Sequence, residues 1–109
     1  MEINIREYKG GKVIEVLGEI DLYSSPLLRN QLMFFVKKKE SLLIVDFGGV
    51  SYIDSSGIAT FVEGLKGVMS FGGKMKMFGL RPAIMEIFSF SKLDKVFDIY
   101  GTIEDACNS

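Results

Sequence analysis

The stretch LLIVDFGGVSYIDSSG, residues 42–57, contains the pattern that decides the fold. Residues 42–47 form a nearly continuous apolar run, which predicts a central strand covered on both faces of a sheet. Residues 48–53 are predicted to form a connection. Asp54-Ser55-Ser56-Gly57 is predicted to open a helix, because Asp and Ser side chains accept hydrogen bonds from the free N–H groups of a first turn. A strand that leads into a helix in this way indicates an α/β domain.

The segments on both sides extend the alternation of strands and helices. Upstream, the alternating residues 2–8 and the apolar residues 13–17 flank a glycine-containing turn, which predicts an antiparallel hairpin. The first helix is predicted to begin at Ser24-Ser25-Pro26, with a serine as N-cap and Pro26 at the first helical position, and to end at a run of lysines. Downstream, strands are predicted at 74–78 and 95–100, and two more helices begin near Pro82 and Thr102.

The predicted element order is therefore β-β-α-β-α-β-α-β-α. It predicts an α/β fold with a mixed, mainly parallel sheet of about five strands flanked by about four helices. We expect sequential strand order, with the first strand antiparallel at an edge. The second helix carries a stripe at helical spacing that is predicted to face the core: Ile58, Val62, Leu65 and Met69. The accompanying Phe61 and Val68 either widen this buried face or remain exposed as a docking patch.

Length and charge limit the classes of protein. The 109 residues predict one domain spanning 1–109. The net charge is −1, which provides no excess of positive charge for binding nucleic acid or an anionic membrane. The single Cys107 cannot form an internal disulfide, and no signal-peptide pattern follows Met1, so we expect a cytoplasmic protein.

The sequence contains no histidine. This excludes Ser-His-Asp and Cys-His nucleophile sites, and a zinc site would need more than one cysteine. We therefore predict no catalytic residues, no metal ligands and no cofactor, and we predict that the chain is not an enzyme. The alternative is an enzyme that acts through a carboxylate pair such as Asp21 and Asp54, although the sequence has no P-loop.

Topology places the polar loop residues at one edge of the predicted sheet. In a parallel α/β sheet, the loops that lead from strands into helices lie at the carboxyl ends of the strands. Asp21, Asp54, Ser55, Ser56 and Arg81 belong to such loops, so they are expected along one rim. Arg81 either contacts a phosphate group or is simply solvated.

Ser55 and its neighbours have two interpretations. The structural one is a helix N-cap, in which Asp and Ser satisfy free N–H groups. The functional one starts from the same geometry: a phosphate on a serine at a helix N-terminus meets N–H donors and the positive end of the helix dipole. Phosphorylation would then leave the fold intact while adding about −1.5 to −2 charge beside Asp54.

Several segments, spread over nearly the whole chain, together resemble one family. The segment SYIDSSGI at 51–58 resembles the D-S-S/A-G segment of anti-sigma factor antagonists of the STAS domain family. Five further segments resemble elements of that family in the same order: GEID at 18–21, LIVDF at 43–47, GGKM at 72–75, PAI at 82–84 and LDKVF at 93–97.

The resemblance implies a function and a set of site residues. It implies that the unphosphorylated protein binds an anti-sigma factor, usually a serine kinase with the histidine-kinase-like ATPase fold, and thereby frees a sigma factor. Phosphorylation of Ser55 by that kinase would switch the protein off, and a PP2C-type phosphatase would reset it. Asp21 and Asp54 would lie at the partner surface, together with Gly57, and Ser56 would serve as a cap or a second acceptor.

One alternative within the same family stays open. It is a non-switching STAS scaffold, such as a stressosome component or a lipid-transport accessory subunit. The hydroxyl of Ser55 favours the switch. The glycines at 48, 49 and 57 are further predicted to allow close approach of a partner's backbone.

Overall fold

The computed structural model describes residues 1–109 and contains the predicted elements in the predicted order. The strands and helices are β1 (Glu2–Tyr8), β2 (Gly11–Ile20), α1 (Ser25–Lys37), β3 (Leu42–Ile53), α2 (Ser55–Met69), β4 (Lys74–Phe78), α3 (Pro82–Phe90), a 3₁₀ turn (Leu93–Lys95), β5 (Asp98–Tyr100) and α4 (Ile103–Cys107).

The five strands form one sheet in the order β1-β2-β3-β4-β5. β1 pairs with β2 antiparallel, and each later neighbour pairs parallel. Lys9 and Gly10, which join β1 to β2, both have positive φ, 49° and 84°. Positive φ at both central residues is the type I′ geometry that matches the twist of a hairpin. The predicted sheet order and the antiparallel edge strand are therefore confirmed.

Most of the core lies between one face of the sheet and the first three helices. Its largest side chains include Leu32 of α1, Phe61 of α2 and Phe88 of α3, packed with Phe47 of β3. On the opposite face, α4 covers Val13 and Ile44. β3 is thus buried on both faces over its first part, as its apolar run predicted.

α4 is attached to the sheet by a buried lysine. Lys76 of β4 is 5% exposed, and its ammonium donates to the carbonyl oxygens of Ala106 at 2.8 Å and Ser109 at 3.0 Å. These acceptors lie at the C-terminal end of α4, where the helix dipole favours a positive charge. None of the helices is both long and apolar enough to cross a bilayer.

The buried face of α2 differs from the predicted stripe. Ile58, Val62 and Leu65 are half-buried and Met69 is 64% exposed, whereas Phe61 and Val68 are fully buried. The buried face of α2 is wider than the predicted stripe and is rotated towards Gly57 and Gly64. Both glycines are buried, because the helix packs closely against its neighbours at these two positions. Phe61 and Val68 therefore belong to the core and do not form a docking patch.

Two element boundaries also differ from the predictions. Residues 48–53, predicted as a connection, continue β3 and pair with residues 17–20 of β2 across two register shifts. Gly49 leaves room for the Leu17 side chain on the paired strand, since a Cβ there would lie 2.2 Å from Leu17 Cδ2 and would require that side chain to move. At the sheet edge formed by β5, the strand predicted at 95–100 is shorter and contains only Asp98–Tyr100. Phe97, which precedes β5, is directed into the core and packs edge-on against Phe88 at 5.8 Å.

Candidate functional site

The predicted rim begins where β2 and β3 end side by side. Ile20 pairs with Ile53, and the N–H of Asp54 donates to the carbonyl oxygen of Ile20 at 3.1 Å. Asp21 and Asp54 are the residues that directly follow these two strand ends. The parallel pairing of β2 with β3 therefore brings together two carboxylates that are far apart in sequence, as predicted.

Asp54 is the N-cap of α2. Its backbone is extended, and its Oδ1 accepts from the N–H groups of Ser56 at 3.0 Å and Gly57 at 3.3 Å. The same oxygen accepts from the Ser56 hydroxyl at 2.5 Å. The Ser56 hydroxyl is the largest cause that lowers the pKa of Asp54, with help from backbone N–H groups. Asp54 is thus an ionised cap at neutral pH, and the structural interpretation of this motif is correct.

Asp21 organises the loop between β2 and α1. Its Oδ1 accepts from the N–H groups of Tyr23 and Ser24, both at 3.0 Å, and from the Ser24 hydroxyl at 3.1 Å. The Ser24 N–H is the main cause that lowers the pKa of Asp21, and the charge of Asp54 acts in the opposite direction. Repulsion between the two carboxylates is expected, because like charges follow the ends of adjacent strands.

The start of α1 differs in detail from the prediction. Ser24 occupies the N-cap position, but its side chain makes no capping hydrogen bond to the helix. The Ser24 hydroxyl is used within the Asp21 loop, where it accepts from the Asp21 N–H at 2.9 Å and lies 3.0 Å from the Glu19 carbonyl oxygen. Pro26 is the second helical residue, because Ser25 already belongs to α1.

Ser55 is the first residue of α2, and its side chain is exposed. Its hydroxyl makes no hydrogen bond with any other group of the protein. An exposed hydroxyl at the start of a helix is open to a reagent from solution, and a group attached to it would face the positive end of the helix dipole. Neither Asp21 nor Asp54 holds it in place.

Ser56 has the opposite environment, although it is the next residue. Its half-buried hydroxyl lies 2.5 Å from Asp54 Oδ1 and 3.0 Å from the hydroxyl of Ser25. Ser25 is 6% exposed, and its own hydroxyl lies 2.6 Å from the carbonyl oxygen of Asp21. Ser25 was not predicted as a site residue, because its partner Ser56 is 31 positions away in the sequence.

The glycines of the site serve internal packing. Gly57 is buried, and a Cβ there would lie 2.6 Å from Ile20 Cγ2 and 2.8 Å from Ile53 Cγ1. Glycine therefore allows the first turn of α2 to sit directly on the ends of β2 and β3. The space at Gly57 and Gly49 that was expected to admit a partner's backbone is occupied by the protein's own side chains.

Arg81 does not join the other predicted rim residues. It follows β4, which pairs with β3 only as far as Asp46, eight residues before Asp54. It is exposed, and its Nε donates to the Gly48 carbonyl oxygen at 3.1 Å. Its exposure agrees with the solvated interpretation, and contact with a phosphate group stays a prediction. Around the rim, large apolar side chains remain exposed on the loop before α1 and on its first turn, Tyr23 at 91%, Leu22 at 68% and Leu27 at 56%.

Comparisons with known proteins agree with the fold and with the family resemblance. The sequence profile of the STAS domain family matches residues 2–106. The chain is 30% identical over 104 residues to the anti-sigma-B factor antagonist of Bacillus subtilis, covering 95% of this chain and 94% of the relative. It is 31% identical over 86 residues to that of Listeria monocytogenes, covering 79% and 75%.

Solved structures show the same fold at lower identity. An anti-sigma factor antagonist from Mycobacterium paratuberculosis superposes with a TM-score of 0.89 at 24% identity, over 98% of this chain and 91% of that one. The Bacillus cell fate determinant SpoIIAA in its phosphorylated form superposes with a TM-score of 0.75 at 20% identity, over 98% and 97%.

The fold and the site thus define a class of protein: an α/β domain that presents a serine at the start of its second helix. This chain belongs to the STAS domain family. The two curated relatives are named as antagonists of another protein, a role carried out by binding. The names of these relatives confirm the prediction that the chain is not an enzyme.

Proposed function

We propose that this protein is an anti-sigma factor antagonist, a single STAS domain over 1–109, whose unphosphorylated form binds an anti-sigma factor and thereby releases a sigma factor. Phosphorylation of Ser55 ends that binding. The observation that carries the proposal is the free, exposed hydroxyl of Ser55 at the first position of α2. The names of relatives at 30% and 31% identity support the class of partner.

The electrostatics of the rim explain how one modification can reverse binding. Both Asp21 and Asp54 have lowered pKa values, so both are ionised before Ser55 is modified. A phosphate would add about −1.5 to −2 charge next to them. The fold tolerates this charge because it faces the start of α2, whereas a partner that fits the unmodified rim meets repulsion and a bulky group.

The partner's contact surface extends from Ser55 over the adjacent loop. Leu22 and Tyr23 follow Asp21 directly and are mostly exposed, which provides apolar contact area beside the charged rim. Aromatic side chains in such positions often contribute much of the binding energy of an interface. The partner proposed for this surface is a serine kinase with the histidine-kinase-like ATPase fold.

The other parts of the cycle follow from the same proposal. The kinase supplies Mg²⁺-ATP and the carboxylate that accepts the serine proton. A PP2C-type phosphatase removes the phosphate, and the cycle operates in the cytoplasm, where sigma factors act. The free hydroxyl of Ser55 favours this switch over a STAS scaffold that is not phosphorylated.

The test is phosphorylation with and without a partner. The purified protein is incubated with Mg²⁺-ATP alone and with each candidate serine kinase from its own genome, and the modified residue is mapped by mass spectrometry. We expect phosphate on Ser55 only in the presence of one kinase. Modification at a similar rate without a kinase would make the protein itself an enzyme, and no modification by any of them would contradict the switch.

A further inference from the structure

The two adjacent serines of the site differ in what surrounds their hydroxyl groups. The Ser55 hydroxyl has no partner in the protein, and the Ser56 hydroxyl lies within 3.0 Å of two oxygens. A kinase that reaches the start of α2 meets both serines one residue apart. The different surroundings of the two hydroxyl groups should therefore decide which serine accepts the phosphoryl group.

Hydrogen counting shows that Ser56 is directed inwards. Three contacts run in line, from the Asp21 carbonyl oxygen to Ser25 at 2.6 Å, from Ser25 to Ser56 at 3.0 Å, and from Ser56 to Asp54 at 2.5 Å. The two end groups, a carbonyl and an ionised carboxylate, only accept hydrogen bonds, so two hydroxyl protons serve three contacts. Three arrangements use both protons inside the protein, and in each of them the Ser56 proton is donated to Asp54 or to Ser25. In two of the three, a hydrogen bond joins Ser25 to Ser56; in the third, Ser25 donates to Asp21 and Ser56 donates to Asp54.

We propose that Ser25 is a specificity-determining residue, because its hydroxyl helps to retain Ser56 inside the protein and leaves Ser55 as the preferred acceptor. This inference rests on the proposed function, since it concerns the same phosphorylation. Ser25 is 6% exposed and belongs to α1, so the selection of a residue in α2 depends on the neighbouring helix.

The chemistry of the transfer explains why retention matters. The acceptor oxygen attacks the γ-phosphorus of ATP, the new O–P bond forms as the bond to the β–γ bridging oxygen breaks, and ADP leaves. The hydroxyl proton passes to a carboxylate of the kinase. Ser55 can meet these demands without breaking any internal bond. Ser56 must first break its hydrogen bond to a charged group, which slows the transfer by about ten- to a hundredfold.

The first experiment needs no kinase. NMR spectroscopy is used to detect hydroxyl protons that exchange slowly with water in the wild-type protein. We expect a resolved hydroxyl resonance for Ser56 and none for Ser55, and faster exchange of the Ser56 proton in Ser25→Ala. Absence of a Ser56 resonance, or an unchanged exchange rate in Ser25→Ala, would overturn the proposal while leaving the proposed function intact.

The second experiment uses the kinase that modifies the wild type, with the phosphosite mapped by mass spectrometry. In Ser55→Ala, phosphate should appear on Ser56 at least about tenfold more slowly than on Ser55 of the wild type. In Ser55→Ala/Ser25→Ala, the rate at Ser56 should rise about three- to tenfold above Ser55→Ala, the effect of one hydrogen bond. Equal rates at Ser56 in these two variants would contradict the role of Ser25.

A matched control distinguishes the loss of the Ser25–Ser56 contact from a general disordering of the loop before α1. Ser24→Ala removes the neighbouring hydroxyl, which binds within the Asp21 loop and does not touch Ser56. Ser55→Ala/Ser24→Ala should therefore resemble Ser55→Ala. If it accelerates Ser56 modification as much as Ser25→Ala does, the effect comes from a disordered loop, and the specific role of Ser25 is wrong. If no kinase modifies the wild type, the proposed function fails, and the NMR experiment alone decides whether Ser25 retains Ser56.

Discussion

Among single residues, Ser55 combines exposure with a hydroxyl that supports no other part of the protein. Ser55→Ala should therefore keep the fold and bind the anti-sigma factor even in the presence of kinase and ATP. Ser55→Asp should bind at least about tenfold more weakly, because it adds a carboxylate beside the ionised Asp54. Isothermal calorimetry measures both affinities, and Ser51→Ala, at another exposed serine, is the control. Equal affinity of wild type and Ser55→Asp would count against a charge-operated switch.

Substitutions of Asp54 and Asp21 by Asn test whether these carboxylates act through their charge or through their structural hydrogen bonds. Asn is as good an N-cap as Asp, so Asp54→Asn should preserve α2 while removing the negative charge. We expect the phosphorylation rate or the partner affinity to fall by about tenfold, because the variant no longer attracts positive charge on the partner. The free energy of unfolding at neutral pH should fall by no more than about 1–2 kcal/mol. Asp21→Asn should act in the same direction. A large loss of thermal stability without any change in binding would assign both carboxylates to the fold alone.

The same residues show what the sequence could and could not predict. Asp54 and Ser55 were found because a cap and a helix start are local patterns, decided by residues within one turn of each other. Ser25 was missed because its contact with Ser56 exists only after α1 and α2 have packed together. Arg81 was wrongly placed on the rim with Asp54, because β3 continues well beyond the end of β4 and Arg81 contacts Gly48 instead.

At the scale of elements, the position of α2 depends on the absence of one side chain. In Gly57→Ala the new Cβ would meet side chains of β2 and β3 at 2.6 Å and 2.8 Å, so the first turn of α2 must move away from the sheet. Overpacking of this kind costs about 1–3 kcal/mol of the unfolding free energy. Phosphorylation of Ser55 should slow as well, because Ser55 moves with that turn.

Gly101→Ala is the matched control for this substitution. No atom lies within 4 Å of the position that its Cβ would take, and its φ is not positive. Its unfolding free energy, measured by urea denaturation beside that of Gly57→Ala, should be close to that of the wild type. Equal stability of the two variants would show that α2 adapts without strain.

Element boundaries were harder to predict than element order, for identifiable reasons. Residues 48–53 contain two glycines and few alternating apolar residues, so their pairing with β2 had no clear local signal. Residues 95–100 are rich in β-branched and aromatic residues, yet Phe97 is directed into the core before β5 begins. The apolar period of α2 predicted a helix correctly, but the buried face was shifted towards Gly57 and Gly64 by close packing.

For the molecule as a whole, the absence of histidine makes a prediction about pH. No side chain has an ordinary pKa between the carboxylates and the cysteine, so stability should be nearly constant from about pH 5.5 to 8. A change of unfolding free energy centred near pH 6.5 in urea denaturation would contradict this. Partner binding should likewise respond to Ser55 phosphorylation rather than to protonation over this range.

At acid pH the carboxylates of the rim should control stability. The pKa values of Asp21 and Asp54 are lowered in the folded protein, chiefly by the N–H of Ser24 and the hydroxyl of Ser56. A lowered pKa means that the folded state holds the proton less tightly than the unfolded chain. Its stabilising effect is therefore present above the unfolded pKa, near 4, and is lost as the pH falls through the folded value.

Urea denaturation between pH 2 and 6 should therefore show a loss of unfolding free energy that begins near pH 4.5. In Asp21→Asn/Asp54→Asn this dependence should become shallower, because neither side chain titrates. Glu7→Gln is the control: the pKa of Glu7 is also lowered, by its hydrogen bond with Lys12, but that ion pair lies at the exposed edge of the sheet and contributes little. If Glu7→Gln reduces the pH dependence of the unfolding free energy below pH 4.5 as much as the double variant does, the rim carboxylates are not the groups responsible for that dependence.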